Sequence, residues 1–216
     1  MKSPFSLSNN YTVTSVPFRP RFFPCLTPRE ILAQTVLSSC GAAAALTLER
    51  FWPKGKGQAR LKSLAAAGFM ARHVLDGNIR LNIYSTHPRF EPDQGLRQLA
   101  LAQLFVRLRE CVPCYLTPAE PFPVLTVMGR HFQVIVLRDG DYAPLLHSHL
   151  RHPSVVVCET LTPLPGYPVR MTADHDLINR PLEECFYLPD GTPDRESFLA
   201  RLSSGASLCA KSTATG

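Results

Sequence analysis

The chain has 216 residues, of which 45% are hydrophobic and 19% charged, so it is long enough to bury the core of one large domain or two small ones. No apolar run approaches the roughly 18 residues of a membrane span, and no charged segment followed by an apolar one indicates a secretory signal. The seven cysteines are an odd number, and several lie within apolar runs. A reduced, cytoplasmic protein with no membrane contact is therefore expected.

The formal net charge of +6 is unevenly distributed along the chain. Residues 25–90 carry nine Lys+Arg and three Asp+Glu, whereas residues 91–216 carry eleven and fourteen, and residues 1–24 add three positive charges. A concentration of positive charge in one part of a chain is typical of a surface that binds phosphates.

The beginning of the chain predicts an arm followed by two helices. Residues 1–24 are rich in Ser, Asn and Pro without a helical period, which favours a mostly disordered arm. Thr27 can then act as an N-cap, with Pro28 as the first helical residue and Glu30 completing a capping box. This helix is expected to reach about Cys40, and a second short helix fits residues 42–51.

The stretch from residue 52 to residue 84 carries the main functional signal. A helix is predicted over 58–67, with Leu61 and Leu64 on its buried stripe, and Gly68 is suited to end it. Two strands over 69–75 and 79–84 follow, joined by Asp76-Gly77-Asn78, and an Asp-Gly pair between such runs is a strong hairpin signal. Helices followed by a hairpin predict a winged helix-turn-helix domain over 25–88.

In such a domain the exposed residues of the recognition helix contact base edges, while flanking cations contact phosphates. Gln58 can pair with adenine and Arg60 with guanine, and Asn78 and Arg80 are expected on the wing. The predicted DNA-binding residues are Lys54, Lys56, Gln58, Arg60, Lys62, Ser63, Asn78 and Arg80. The alternative is a winged helix used for protein contact, whose charges are merely solvated.

The motifs of this part resemble those of a known family. They are a Thr-Pro-x-Glu helix start, a second helix ending in Phe51-Trp52, the series Ala-Arg-Leu-Lys-x-Leu-x-x-x-Gly-Phe from Ala59, and a hairpin leading to Tyr84-Ser85-Thr86. They are similar to winged-helix modules and, more narrowly, to replication-relaxation proteins of plasmids and conjugative elements. The resemblance covers about residues 25–90. It implies a bacterial mobile element and a second domain resembling a degraded restriction-endonuclease fold.

The rest of the chain predicts a small α/β domain over 92–202. A helix over 93–110, with a wide apolar stripe, is expected to pack the two halves together or to form a homodimer. Apolar runs predict strands over 124–128, 132–137, 155–160 and about 169–172, and short helices over 142–151 and 194–202. These elements suggest a mixed sheet covered by helices, giving an α+β chain with a disordered tail over 203–216.

Three kinds of chemistry are alternatives to simple binding. A metal-dependent nuclease needs acidic residues and a lysine near the attacked bond. The acids are Asp139, Asp141, Glu159, Asp174 and Asp176, but no lysine occurs between Lys62 and Lys211. Cys111 and Cys114 could form a zinc site with His149 and His152, although a role of the cysteines in packing is the simpler interpretation. No nucleophile elbow or phosphate loop occurs, so neither catalytic residues nor a cofactor is expected.

The sequence therefore predicts a non-catalytic protein that binds double-stranded DNA. We expect an accessory or regulatory role in the replication or transcription of a bacterial mobile element. A nuclease with a non-lysine active site and a winged-helix interaction adaptor remain as alternatives.

Overall fold

The computed structural model describes residues 3–18, 25–141 and 148–194. It contains two compact units, Pro4–Val106 and a second one built from Arg107 onward together with Ser3. Both combine helices with a sheet, which confirms the predicted α+β class. No helix of the described residues has the length and apolar character needed to cross a membrane.

The boundary between the two units falls inside a helix, Pro92–Cys111, and so lies beyond residue 92, the predicted start of the α/β domain. The first part of this helix belongs with the N-terminal unit. Within that unit Thr47 donates a hydrogen bond of 2.5 Å to Gln103, and a side chain at Gly95 would come within 2.2 Å of the Phe90 ring. These contacts explain why the helix does not begin a separate domain.

The N-terminal unit carries a four-stranded antiparallel sheet in the order β1-β3-β4-β2. In chain order its elements are β1 (Thr12–Ser15), α1 (Pro28–Cys40), β2 (Ala42–Ala44), α2 (Ala45–Leu48), α3 (Gly57–Ala66), β3 (Ala71–Asp76), β4 (Leu81–Ser85) and the start of α4 (Pro92–Cys111). The predicted hairpin is present as β3 and β4.

The predicted start and end of α1 are confirmed. The capping box is formed, with the backbone N–H of Thr27 donating to Glu30 Oε2 at 2.7 Å. Pro28 is the first helical residue, and the helix ends at Cys40. Gly41 follows with φ at 85°, a conformation that favours glycine, so the chain can turn there into β2.

The prediction of a continuous helix over 42–51 is wrong at its beginning. Ala42–Ala44 forms β2, in which all three residues are buried and Ala43 pairs with Tyr84 of β4. Alanine has the highest helix propensity, but pairing with a buried strand outweighs that preference here. The α-helical turn α2 and a 3-10 turn at Glu49–Phe51 account for the rest.

The disordered arm predicted over 1–24 is also wrong for the part that the structure describes. Residues Leu7–Asn9 form a 3-10 turn, and β1 pairs with β3 from Thr12 to Ser15. The strand is held by side chains as well, since Ser15 Oγ and His73 Nδ1 share a hydrogen bond of 2.8 Å. A segment too polar to form a core of its own is thus ordered by the free edge of β3.

The C-terminal unit holds a six-stranded mixed sheet in the order β10-β9-β8-β7-β6-β5. Its elements are β5 (Cys114–Thr117), β6 (Val124–Val127), β7 (Arg130–Leu137), β8 (Ser154–Cys158), β9 (Val169–Ala173), α5 (Asp174–Asn179) and β10 (Phe186–Tyr187). Strands β7, β8 and β9 are parallel, and the remaining pairs are antiparallel. The four predicted strands and the mixed sheet are confirmed, whereas β5, α5 and β10 were not predicted.

Two predicted elements and the predicted tail lie largely outside the described residues. These are most of the helix over 142–151, nearly all of the helix over 194–202, and residues 203–216. The core of the described sheet includes Ile135, Val156 and Met171, all fully buried.

Candidate nucleic-acid interface

Helix α3 has the orientation that the apolar spacing predicts. Leu61 is 0% exposed and Leu64 is 5% exposed, while Gln58 and Lys62, on the opposite face, are exposed. The start of the helix lies against the 3-10 turn that precedes it, because a Cβ at Gly57 would come within 2.8 Å of the Cα of Glu49. This close approach fixes which face of α3 is presented to solvent.

The three lysines of this part of the chain, Lys54, Lys56 and Lys62, are all exposed. Among the described residues, the side chains of Lys54 and Lys56 make no hydrogen bond or ion pair. Lys62 lies near Glu49, where burial raises the pKa of the carboxyl and the positive charge of Lys62 opposes that rise. The ammonium groups of Lys54 and Lys56 are therefore available to an external anion.

Arg60 has a structural partner that the sequence did not reveal. Its Nε donates to Glu30 Oε1 at 2.6 Å, and the side chain of Arg60 is 50% exposed while that of Glu30 is 2% exposed. Arg60 thus links α3 to the start of α1. Only its exposed part can face DNA, so a role in reading guanine is more restricted than the sequence suggested.

The remaining predicted residues are exposed as expected, but the turn between β3 and β4 is supported from one side. Ser63 lies on the open face of α3, and Asn78 and Arg80 lie in the turn between β3 and β4. The backbone N–H of Asn78 donates to the carbonyl of Asn9 at 3.1 Å. The segment before β1 therefore packs against this turn and restricts its motion.

An open cleft with a volume of about 440 Å³ lies beside α3. Its lining includes Arg29 and Trp52, which the sequence analysis did not assign to the site, together with Lys56 and Arg60. Trp52 is the single tryptophan of the sequence. Its uniqueness and its position between the predicted second helix and Lys54 are the sequence signals that could have identified Trp52 as a site residue.

The acidic residues of the C-terminal unit have partners that account for them. Asp174 is 0% exposed and forms an ion pair with Arg138. Asp141 accepts a hydrogen bond of 2.7 Å from the backbone of Arg138, and Glu159 accepts one of 3.2 Å from the backbone of Asp139. Asp176 accepts a hydrogen bond of 2.6 Å from Tyr187. These carboxylates stabilise the turns and strand ends at the carboxyl edge of the parallel strands.

The cysteine and histidine residues do not form a metal cluster within the described residues. Cys111 is exposed, whereas Cys114 is buried in β5, and burial raises the pKa of the Cys114 thiol to about 11. A buried thiol of this kind is protonated at neutral pH. The six described cysteines are free thiols.

The predicted dimer helix offers little apolar surface to a second chain. Residues 99–106 of α4 are all buried, and no large apolar side chain of this helix is among the exposed ones. A helix-mediated homodimer would need such a surface, so this expectation gains no support.

No protein-family model, curated protein or solved structure matches this chain.

Proposed function

We propose that this protein binds double-stranded DNA through α3 of a winged helix-turn-helix. The order α1, β2, α2, α3, β3, β4 supports this assignment, since three helices precede a hairpin and the short strand β2 pairs with β4. In this arrangement α3 is the recognition helix and the turn between β3 and β4 is the wing.

The observation that carries the proposal is the exposed face of α3 and the loop before it. Gln58, Lys62 and Ser63 point away from the core, and Lys54 and Lys56 stand at the start of the helix. The lysine side chains are suited to contact phosphates, and the exposed amide of Gln58 is suited to contact a base edge. A protein-contact adaptor would not need three of the five lysines of the sequence within nine residues.

The role that follows is regulatory or accessory, without catalysis, in the replication or transcription of a bacterial mobile element. The free thiols of the described residues support a cytoplasmic location, because thiols stay reduced there. We propose for the C-terminal unit a degraded restriction-endonuclease-like fold that binds a partner or ligand, since its sheet is mixed and the sequence has no lysine between Lys62 and Lys211.

Fluorescence anisotropy with a labelled duplex tests the proposal. Binding should weaken as salt increases, with log K falling linearly against log salt by about 0.9 for each phosphate contacted. Binding that is absent at low salt, or that does not respond to salt, would reject a DNA-binding role.

A metal-dependent nuclease is the second candidate, because Asp139, Asp141 and Glu159 gather at one edge of the sheet. Their backbone hydrogen bonds and the ion pair of Asp174 with Arg138 argue against it. Incubation of supercoiled, linear and single-stranded DNA with Mg²⁺ or Mn²⁺ should leave the DNA intact. Cleavage that is abolished by Glu159→Ala or Asp174→Ala would establish the nuclease instead.

A further inference from the structure

The cleft beside α3 combines one aromatic ring with exposed cations. Its lining consists of Thr27, Pro28, Arg29, Trp52, Lys56 and Arg60. Trp52 is half-buried, while Arg29 and Lys56 are exposed. The side chains of Arg29 and Lys56 make no hydrogen bond or ion pair within the part of the chain that the structure describes.

Backbone hydrogen bonds hold the turn that bears Trp52 and Lys56. The backbone N–H of Trp52 donates to the carbonyl of Glu49 at 3.0 Å, and that of Lys56 donates to the carbonyl of Pro53 at 3.0 Å. Phe51 packs edge-on against the Trp52 ring, with the ring centroids 6.3 Å apart. The indole is thus supported from one side, and the lysine is held at the end of the same tight turn.

The net charge of the cleft comes from Arg29 and Lys56. The third cation, Arg60, is offset by the buried carboxylate of Glu30 at 2.6 Å. Arg29 lies in the first turn of α1, and it lines the cleft together with Lys56. Two cations that have no acidic partner among the described residues, beside an aromatic ring, match the phosphates and the base of a single nucleotide unit.

We propose that this cleft binds an unpaired nucleotide of a DNA strand, with its base stacked on Trp52 and its phosphates on Arg29 and Lys56. A base inside a duplex stacks on its neighbours and does not offer a face to a protein ring, whereas an unpaired base does. The inference rests on the proposed function and specifies the nucleic acid: DNA with a single-stranded segment beside the duplex that α3 contacts.

Trp52 reports directly on the cleft because it is the single tryptophan of the sequence. An oligothymidylate should quench its selectively excited fluorescence in a saturable manner, and a blunt duplex at equal nucleotide concentration should quench it much less. The proposal is overturned if the single strand does not quench, if the blunt duplex quenches equally, or if free thymidine monophosphate is as effective as the oligomer.

Variants measured by anisotropy on a labelled oligothymidylate separate stacking from charge. Trp52→Leu should lower the affinity at least about fivefold, and Trp52→Phe should retain most of it. Arg29→Ala should make the salt dependence shallower by about 0.7 in the slope of log K against log salt. Arg89→Ala is the matched control, since it removes an equally exposed arginine of the same unit, and it should leave the slope unchanged.

The outcomes distinguish this inference from the proposed function. Equal slopes for the Arg29 and Arg89 variants, or a Phe variant as weak as the Leu variant, would remove the cleft from the binding surface even if duplex binding is intact. A protein that shows the single-strand quench but binds no duplex would support the cleft and refute the role of α3.

Discussion

At the scale of single residues, Leu64 determines which face of α3 packs against the core. Its side chain is 5% exposed and lies in the core, whereas the preceding residues Lys62 and Ser63 are exposed. Leu64→Ala should lower the free energy of unfolding by about 2 to 5 kcal/mol through lost burial and a residual cavity. Gln58→Ala, on the exposed face, should change it by less than about 0.5 kcal/mol. Chemical denaturation of both variants provides the check, and a harmless Leu64→Ala would mean that the helix is seated differently.

Glu30 gives a pH-dependent prediction. Burial raises its pKa, but the hydrogen bonds with Thr27 and the ion pair with Arg60 outweigh that effect and hold the pKa below its usual value of 4.5. A carboxylate with a lowered pKa stabilises the fold above its unfolded-state pKa, and this stabilisation is lost as the pH falls through the folded-state pKa.

Glu30→Gln should therefore be less stable than the wild-type protein at neutral pH, and the difference should shrink as the pH is lowered below about 4.5. Unfolding free energies measured across this range test the expectation. A difference that stays constant with pH would show that the charge of Glu30 does not contribute.

At the scale of elements, the N-terminal segment stabilises the turn between β3 and β4 through close contact at Gly77. A Cβ there would lie 2.4 Å from the carbonyl oxygen of Asn9 and 3.1 Å from the ring of Tyr11. Gly77→Ala should displace the segment and cost about 1 to 3 kcal/mol, as overpacking usually does. Asn78→Ala, at the neighbouring exposed position, should cost less than about 0.5 kcal/mol.

Hydrogen exchange of the Thr12–Ser15 amides locates the effect. Faster exchange in the Gly77→Ala variant than in the wild-type protein is expected, because the strand loses its anchor at the turn. Unchanged protection would show that β1 is held by its pairing with β3 alone.

Local signals in the sequence predicted the elements that depend on neighbouring residues. The capping box at Thr27, the apolar stripe of α3 and the Asp-Gly hairpin are of this kind, and each is present. Elements that depend on distant partners were missed. Strand β1 is polar and forms only against β3. The sequence of Ala42–Ala44 favours a helix, and its strand conformation depends on pairing with β4.

The same distinction applies to the candidate site. Periodicity predicted which residues of α3 are exposed, and the structure agrees. The partner of Arg60 could not be predicted, since Glu30 is 30 residues away in the sequence. Arg29 and Trp52 line the same cleft as Lys56 because α1 packs near the loop before α3. The spacing of these residues in the sequence does not predict that they are close.

At the scale of the whole molecule, charge is divided between the two parts of the chain. Residues 25–90 hold nine Lys+Arg against three Asp+Glu, and residues 91–216 hold fewer basic than acidic residues. A positive field confined to the N-terminal part would direct DNA to that unit by long-range attraction. The C-terminal unit, with its acids engaged in ion pairs and turns, would not compete for the same phosphates.

The salt dependence of duplex binding by the Lys54→Ala/Lys56→Ala/Lys62→Ala variant tests the central claim most directly. Each lysine that contacts a phosphate contributes about 0.9 to the slope of log K against log salt. The triple variant should therefore bind more weakly than the wild-type protein, with a slope shallower by about 2 to 3 while its thermal unfolding is unchanged. A slope equal to that of the wild-type protein would remove these lysines from the DNA surface and contradict the account.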